Sequence, residues 1–138
     1  MFNVLLEMNW LAVVLATLAL AMLGGVWFTV IFGKAYSLAL GKEGAPKEKP
    51  APIYIVGPFV CGLVTTVSIA ILIYALGIES IVDAMIFGGI VGIGLLAATT
   101  VNTAINPNIP RPLLYGLISG SYFLLSGLMV SVIVVAMK

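Results

Sequence analysis

Neutral polar side chains collect at one end of an apolar segment, in the run LLAATTVNTAINPNIPRP at residues 95–112. Residues three or four apart share one face of a helix, and this spacing continues backwards from the polar run through two glycines. The resulting stripe consists of Gly88, Gly92, Leu95, Thr99, Asn102 and Asn106. Hydroxyl and amide groups on one helix face can hydrogen-bond a neighbouring membrane helix, or they can line a polar pocket or a conduction path.

The next apolar segment carries a matching stripe of small residues: Gly116, Gly120, Gly127 and Ser131. Small residues let two helix backbones approach closely in a membrane, so we expect the two segments to pack as an antiparallel hairpin. Tyr122 lies at about the depth of Leu96 on the facing segment, with Thr99 or Thr100 within reach of its hydroxyl, and a buried phenol without a partner is costly in hydrocarbon. We therefore expect the Tyr122 hydroxyl to bond to the preceding segment or to its own backbone.

Two sets of residues follow as candidate sites. The candidate polar pocket or helix-packing set is Thr99, Asn102, Thr103, Asn106, Ser119 and Tyr122; the candidate helix-packing glycines are Gly88, Gly92, Gly116, Gly120 and Gly127. Asn102 is the most informative member, because threonine can bond its own preceding turn whereas an asparagine amide is less easily satisfied in that way. Helix packing is the favoured interpretation, and a polar pocket is the alternative.

The residue types that carry most enzyme chemistry are missing from the apolar segments. The chain has no histidine and one cysteine, Cys61, and its charged side chains all fall outside those segments. Haem ligation by histidine and a cysteine–histidine zinc site are therefore excluded. Membrane chemistry that moves protons or ions normally leaves an ionisable group at depth. We predict no enzyme activity, no metal and no cofactor.

The composition is that of a membrane protein. Hydrophobic residues make up 62% of the 138-residue chain and charged residues 8%, with a mean hydropathy of +1.26. A soluble domain is nearer half apolar and a quarter charged, and a chain of this length has too little interior to bury so much hydrocarbon. The lipid bilayer must therefore be its solvent. A net charge of +1 gives no basic surface for nucleic acid.

Four stretches without a formal charge are long enough to cross a membrane, since about 20 apolar residues span roughly 30 Å of hydrocarbon. They are residues 8–32, 53–76, 84–105 and 113–137, and they are called helices 1 to 4 below. Backbone groups in lipid must be satisfied within the segment, which leaves the α-helix. The sequence predicts an all-α, integral membrane four-helix bundle that forms one domain over residues 1–138.

Basic residues set the expected orientation. The loops between helices 1 and 2 and between helices 3 and 4 carry Lys34, Lys42, Lys47, Lys49 and Arg111, whereas the opposite side has Lys138 alone. The positive-inside rule then places both loops in the cytoplasm and both termini outside a multiply crossed cell (inner) membrane. Trp10 and Trp27 lie about 25 Å apart along a helix, which suits two interfacial belts. The expected interface anchors are Trp10, Trp27, Lys34 and Arg111.

Several short motifs resemble a family of small bacterial membrane proteins grouped as domain of unknown function 1761. They are NWLAV at residues 9–13, WF at 27–28, FGKAY at 32–36, ATTVN at 98–102, the Pro-Arg-Pro turn at 110–112, and Tyr122. Family members often carry Asn and Gly before that tyrosine and His after it, whereas this chain has Ser119, Ser121 and Phe123. The resemblance implies four membrane helices and an uncharacterised role, and it supplies no activity.

Two classes of function remain open for such a bundle. The favoured one is a structural or interaction protein that self-associates or joins a larger membrane assembly, with membrane lipids, a second copy or another membrane protein as partners. The alternative is a small uncoupled transporter, channel or lipid- or small-molecule-binding protein with a neutral polar pocket between helices 3 and 4. An ion-coupled exporter is a poor comparison, because Glu7 precedes the first apolar segment.

Overall fold

The computed structural model describes residues 3–138, and four long helices account for most of them. Each is long and apolar enough to cross a membrane: Trp10–Ile31, Ile53–Ala75, Ile81–Ala104 and Pro112–Ala136. These are helices 1 to 4 in their observed bounds, and every end lies within three residues of the predicted one. Short helices at Val4–Glu7 and Gly33–Ala39 flank helix 1, and residues 3–138 contain no strand.

Contacts outside the four helices define two ends of the bundle. The terminal end comprises residues 3–9, 76–80 and 137–138, and the loop end comprises residues 33–52 and 105–111. At the terminal end, Lys138 Nζ donates to the Ile78 carbonyl oxygen at 3.2 Å. At the loop end, the Arg111 amide donates to the Ala39 carbonyl oxygen at 3.2 Å. Consecutive helices are therefore antiparallel.

Helix 4 is the central helix of the bundle. Half of its apolar window (50%) is buried inside the protein, against 28% for helix 1, 22% for helix 3 and 17% for helix 2. It packs against each of the other three helices. The core around it contains Val13, Ile69, Ile73, Val130 and Val134. The three other helices therefore share one apolar core with helix 4.

Helices 3 and 4 approach so closely that no side chain fits between their glycines. A Cβ atom built on Gly88 would lie 2.6 Å from the Gly127 carbonyl oxygen, and one on Gly127 would lie 2.5 Å from the Gly88 carbonyl oxygen. A Cβ atom on Gly92 would lie 2.9 Å from the Leu124 carbonyl oxygen. These three glycines thus lie where the two backbones meet, which is the close approach that small residues permit.

Helix 3 contains a π-helical segment at Val91–Ala97. A π turn holds more residues than an α turn, so it changes which residues face the neighbouring helix. Gly88 precedes the segment and faces helix 4, whereas Val101 does so after it, with its Cγ2 3.3 Å from a Cβ atom built on Gly116. The continuous stripe predicted from regular spacing is therefore wrong, because the register shifts within the π-helical segment.

Helix 3 begins at Ile81, earlier than the predicted start at residue 84. Ser80 caps it, since its hydroxyl oxygen accepts from the Asp83 amide at 3.0 Å. The Asp83 carboxylate is exposed in the first turn, where the helix dipole favours negative charge. The Ser80 cap therefore places Asp83 in the first turn of helix 3, next to the terminal end of the bundle.

The part of helix 2 nearest the loop end, residues 53–61, is poorly covered by the rest of the bundle, and we call it the outer half of this helix. Every residue in it except Gly57 is exposed, with Tyr54 at 72%. Consecutive residues point in different directions around a helix, so the described part of the chain leaves this half open on all sides. The other half differs, because Ile69 and Ile73 are buried in the core.

Two tyrosines join the short helix Gly33–Ala39 to helix 4 at the loop end. The ring centroids of Tyr36 and Tyr115 lie 5.5 Å apart. Burial raises the pKa of the Tyr36 hydroxyl above its ordinary value, and the neighbouring Tyr115 raises this pKa further. Tyr36 therefore stays neutral at physiological pH.

Candidate functional site

Side-chain hydrogen bonds join helix 1 to helix 4 in both directions, along a contact that we call the 1–4 seam. The Trp27 indole Nε1 donates to the Ile118 carbonyl oxygen at 3.0 Å. The Tyr122 hydroxyl donates to the Leu20 carbonyl oxygen at 3.3 Å. Hydrogen bonds between membrane helices contribute about 0.6–2 kcal/mol each. The two bonds fix the height and rotation of helix 1 against helix 4.

The partner predicted for Tyr122 is wrong, because its hydroxyl bonds to helix 1 and not to helix 3 or to its own backbone. The space that Gly24 leaves on helix 1 explains why Tyr122 bonds to that helix. A Cβ atom built on Gly24 would lie 3.1 Å from the Tyr122 hydroxyl oxygen, so the ring fills the place that a side chain would take. The ring also meets Phe28 edge to face, with centroids 5.1 Å apart.

The two tryptophans have different surroundings, although the sequence predicts an interfacial role for both. Trp27 is half-buried at the start of a π-helical segment, Trp27–Ile31, and its indole is bonded to helix 4. Trp10 is 49% exposed, and its indole nitrogen donates to the Leu5 carbonyl oxygen at 3.1 Å. Lys34 and Arg111 are exposed at the loop end. Trp27 is thus an interhelical donor, while the other three have the exposure that anchors need.

Removing the Tyr122 hydroxyl is expected to weaken the 1–4 seam. Tyr122→Phe should lower the free energy of unfolding by about 1 kcal/mol, because the Leu20 carbonyl loses a donor while the ring stays in place. Tyr54→Phe is the matched control, since Tyr54 is 72% exposed. Equilibrium unfolding in mild detergent, followed by circular dichroism, measures both variants. Equal stabilities for the two would contradict a role for the hydroxyl.

The polar residues of helix 3 do not line its contact with helix 4. Thr99, Asn102 and Thr103 are exposed, because the register shift at the π-helical segment turns them away from helix 4. The Thr103 hydroxyl donates to the Thr99 carbonyl oxygen at 2.9 Å, and Asn106 Nδ2 donates to the Thr103 carbonyl oxygen at 2.7 Å. The structure thus places Thr99, Asn102 and Thr103 on the exposed side of helix 3 near the loop end, and Asn106 just beyond the end of this helix. Ser119 is buried in helix 4.

Three buried hydroxyl groups have no hydrogen-bond partner within residues 3–138: Thr66, Ser119 and Ser131. The Ser131 oxygen lies beside Gly88, 2.9 Å from a Cβ atom built there. Ser119 and Ser131 lie about 18 Å apart along helix 4 at 1.5 Å per residue, so they do not form one site. The same part of the chain also brings together no three side chains able to hold a metal ion.

Asn9, which is not among the candidate site residues, joins three helices at the terminal end. Its Oδ1 accepts from the amides of Leu11 and Ala12 at 3.0 and 3.2 Å and so caps helix 1. Its Nδ2 donates to the Met137 carbonyl oxygen at 2.7 Å. Its own amide donates to the Tyr74 hydroxyl at 3.0 Å. An asparagine before an apolar run signals a helix cap, but this signal does not reveal the other two bonds.

Lys138 extends this set of contacts. Its ammonium group lies 4.9 Å from the centroid of the Tyr74 ring, within the range of a cation–π interaction. The same group donates to the Ile78 carbonyl oxygen. We call the connected set the terminal cluster: Asn9, Tyr74, Ile78, Met137 and Lys138. It ties the start of helix 1 and the residues after helix 4 to the end of helix 2 and to the turn that follows it.

The comparisons with known proteins give one match. No curated protein and no solved structure matches the chain. A family model, described as a protein of unknown function (DUF1761), matches residues 11–135. The match covers nearly all of the four helices and includes both donors of the 1–4 seam, Trp27 and Tyr122. The chain therefore belongs to the DUF1761 family, the family that its motifs resemble.

Proposed function

We propose that this protein is a structural or interaction bundle that self-associates in a membrane through the outer half of helix 2. The observation that carries the proposal is the exposure of residues 53–61 around the helix. A helix in a bundle normally buries one stripe against its neighbours, and the 17% buried share of helix 2 is the smallest of the four. A second copy would supply the contact that the chain itself leaves open.

The residues of the outer half suit a second copy of the same chain. Gly57 and Cys61 in this half, and Thr65 just beyond it, recur every four residues and so share one face. The nearest neighbour of a Cβ atom built on Gly57 would be Ile53 of the same helix, at 3.9 Å. Small residues at this spacing support close contact between membrane helices. A two-fold interface places one patch against itself, and an uncharged patch does so without repulsion.

The proposal includes the orientation and the partners. The loop end carries five basic side chains, Lys34 and Arg111 among them, whereas Lys138 is the one basic side chain at the terminal end. This asymmetry favours cytoplasmic loops and external termini in an inner cell membrane. The proposed partners are membrane lipids and a second copy, and the proposed role is not enzymatic.

A neutral transport path between helices 3 and 4 has less support. Thr99 and Asn102, which would line it, are exposed on the outside of the bundle. The contact between the helices is occupied by the backbones of Gly88 and Gly127. A path there would require these backbones to separate, so self-association is the function that the geometry favours.

Crosslinking at Cys61 tests the proposal, because this free thiol is exposed on the face that a second copy would cover. We expect a short bis-maleimide to give a covalent dimer of the purified protein in mild detergent, with a yield that dilution does not change. The matched control moves the thiol to helix 1, as Val30→Cys in a Cys61→Ser background, because Val30 is 75% exposed. The control should stay monomeric.

A second variant separates self-association from folding. Gly57→Leu adds a large side chain where the chain itself leaves space, so it should lose the Cys61 crosslink and keep the helical circular dichroism and the cooperative unfolding of the wild type. Two results would overturn the proposal. One is the absence of a dimer at Cys61, and the other is an equal yield at positions 61 and 30, which would indicate random collision.

A further inference from the structure

An apolar groove runs along the outer surface of helices 3 and 4, on the loop-end half of their hairpin. It has a volume of about 380 Å³. Its floor is formed by small residues, Ala97, Gly116 and Gly120, and its rim includes the exposed Leu117. The hydroxyl in its lining, that of Ser121, donates to the Leu117 carbonyl oxygen at 2.7 Å. The groove can therefore contact hydrocarbon, and the Ser121 hydroxyl in its lining needs no hydrogen bond from a ligand.

The length of the groove matches one leaflet of a bilayer. On helix 4 it extends from Leu113 to Leu124, about 16 Å at 1.5 Å per residue. Half of the hydrocarbon core of a bilayer is about 15 Å thick. A helix from a second copy would run the full thickness, about twice this length, so the groove fits one acyl chain better than a second helix.

Charge at the start of helix 4, next to the groove residue Leu113, favours an anionic head group. Arg111 is exposed at the N-cap of helix 4, two residues before Leu113 in the lining. The loop end as a whole carries five basic side chains and two acidic ones, Glu43 and Glu48. A guanidinium group pairs well with phosphate oxygens, and the positive end of helix 4 adds to this attraction.

We infer that this groove binds one acyl chain of an anionic phospholipid, with the lipid phosphate held at Arg111. The apolar floor and rim contact the chain, and Arg111 selects the head group. The site lies on helices 3 and 4, away from the outer half of helix 2, so its occupancy does not depend on self-association. The inference therefore extends the proposed function with a defined lipid site.

Native mass spectrometry of the full chain tests the inference. Protein purified in mild detergent is incubated with phosphatidylglycerol or with phosphatidylcholine, and the retained lipid is counted. We expect one phosphatidylglycerol to be retained preferentially. Ala97→Leu fills the floor and should retain about fivefold less, because the acyl chain loses several methylene contacts. Ala98→Leu, on the next and exposed residue outside the lining, should behave as the wild type.

Two further variants keep the test decisive. Ser121→Leu fills the same groove from helix 4, so it replaces Ala97→Leu if that variant does not fold. Arg111→Gln should lose the preference for phosphatidylglycerol over phosphatidylcholine and still retain one lipid. Equal retention by a folded groove-filling variant and by Ala98→Leu would overturn the inference, since the lipid would then be bound elsewhere. An efficient Leu117→Cys crosslink between two copies in the Cys61→Ser background would also overturn it, because the groove would then hold a second chain.

Discussion

Replacing Gly88 by alanine is expected to lower the free energy of unfolding by about 1–3 kcal/mol, the usual range for an overpacked contact. The added methyl carbon would lie 2.6 Å from the Gly127 carbonyl oxygen and 2.9 Å from the Leu128 Cα atom. Both of these atoms belong to the backbone, so no side-chain rotation can relieve the clash. Helices 3 and 4 would have to move apart along the hairpin. Equilibrium unfolding in mild detergent measures the loss.

The neighbouring glycine provides the control for this prediction. A Cβ atom on Gly89 would lie 4.0 Å from the Leu128 Cδ2 atom, which is ordinary contact. Gly89→Ala should therefore leave stability unchanged or raise it by up to about 1 kcal/mol, because alanine favours the helix more than glycine does. Gly127→Ala should repeat the loss seen for Gly88→Ala. If Gly88→Ala and Gly89→Ala unfold alike, the hairpin is not packed as described.

Replacing Asn9 by alanine is expected to cost about 2 kcal/mol of unfolding free energy. About half of this comes from the lost cap of helix 1, and the rest comes from the lost bond to the Met137 carbonyl oxygen. Asn9→Ser separates the two contributions, since serine caps a helix as well as asparagine does. Its shorter side chain cannot reproduce the Nδ2 donor. In the same unfolding measurement, the free energy of unfolding should be highest for the wild type, lower for Asn9→Ser and lowest for Asn9→Ala.

Two measurements control for the Asn9 prediction. Asn3→Ala should have little effect, because Asn3 is exposed and makes no side-chain cap to the short helix that follows it. Digestion in mild detergent with a protease that cuts on the amino side of lysine reports on the terminal end, because the Met137–Lys138 bond should become more accessible in Asn9→Ala. An alanine variant as stable as Asn9→Ser would show that the bond to Met137 contributes nothing measurable.

The four helices can be predicted from the sequence because hydrocarbon thickness imposes a length on each of them. Charged residues such as Lys34 and Glu79 bound the segments, and the observed ends fall close to them. The start of helix 3 is the largest difference. Because Asp83 is charged, the sequence predicts that helix 3 begins after it. In the structure Asp83 belongs to the first turn of helix 3, which Ser80 caps. A single acidic residue near a helix start is a weak boundary for this reason.

The polar stripe of helix 3 could not be placed from spacing alone. Counting forward from Gly88 assumes a regular helix, and a π-helical segment shifts the count without a clear signal in the sequence. The glycine half of the stripe therefore meets helix 4, while the half with Thr99 and Asn102 turns outward. The same assumption fails in helix 1, where Trp27 begins a second π-helical segment and reaches helix 4.

Contacts between helices that are distant in the chain were the least predictable. A short turn makes helices 3 and 4 neighbours, so the sequence predicts that the Tyr122 hydroxyl bonds to helix 3 or to its own backbone. Its partner, the Leu20 carbonyl, lies about a hundred residues away in the sequence. The decisive feature is the space left by Gly24 on helix 1, and no local pattern connects that glycine with Tyr122.

The terminal cluster has a consequence for how the chain can be modified. The Met137 carbonyl oxygen accepts a bond there and the Lys138 ammonium group donates one, so a fusion partner attached directly after Lys138 would pull on contacts that join three helices. The stretch from residue 41 to residue 52 is exposed throughout. An epitope or a fluorescent reporter inserted in that stretch would be tolerated better, since exposed loops accept insertions with the least disturbance.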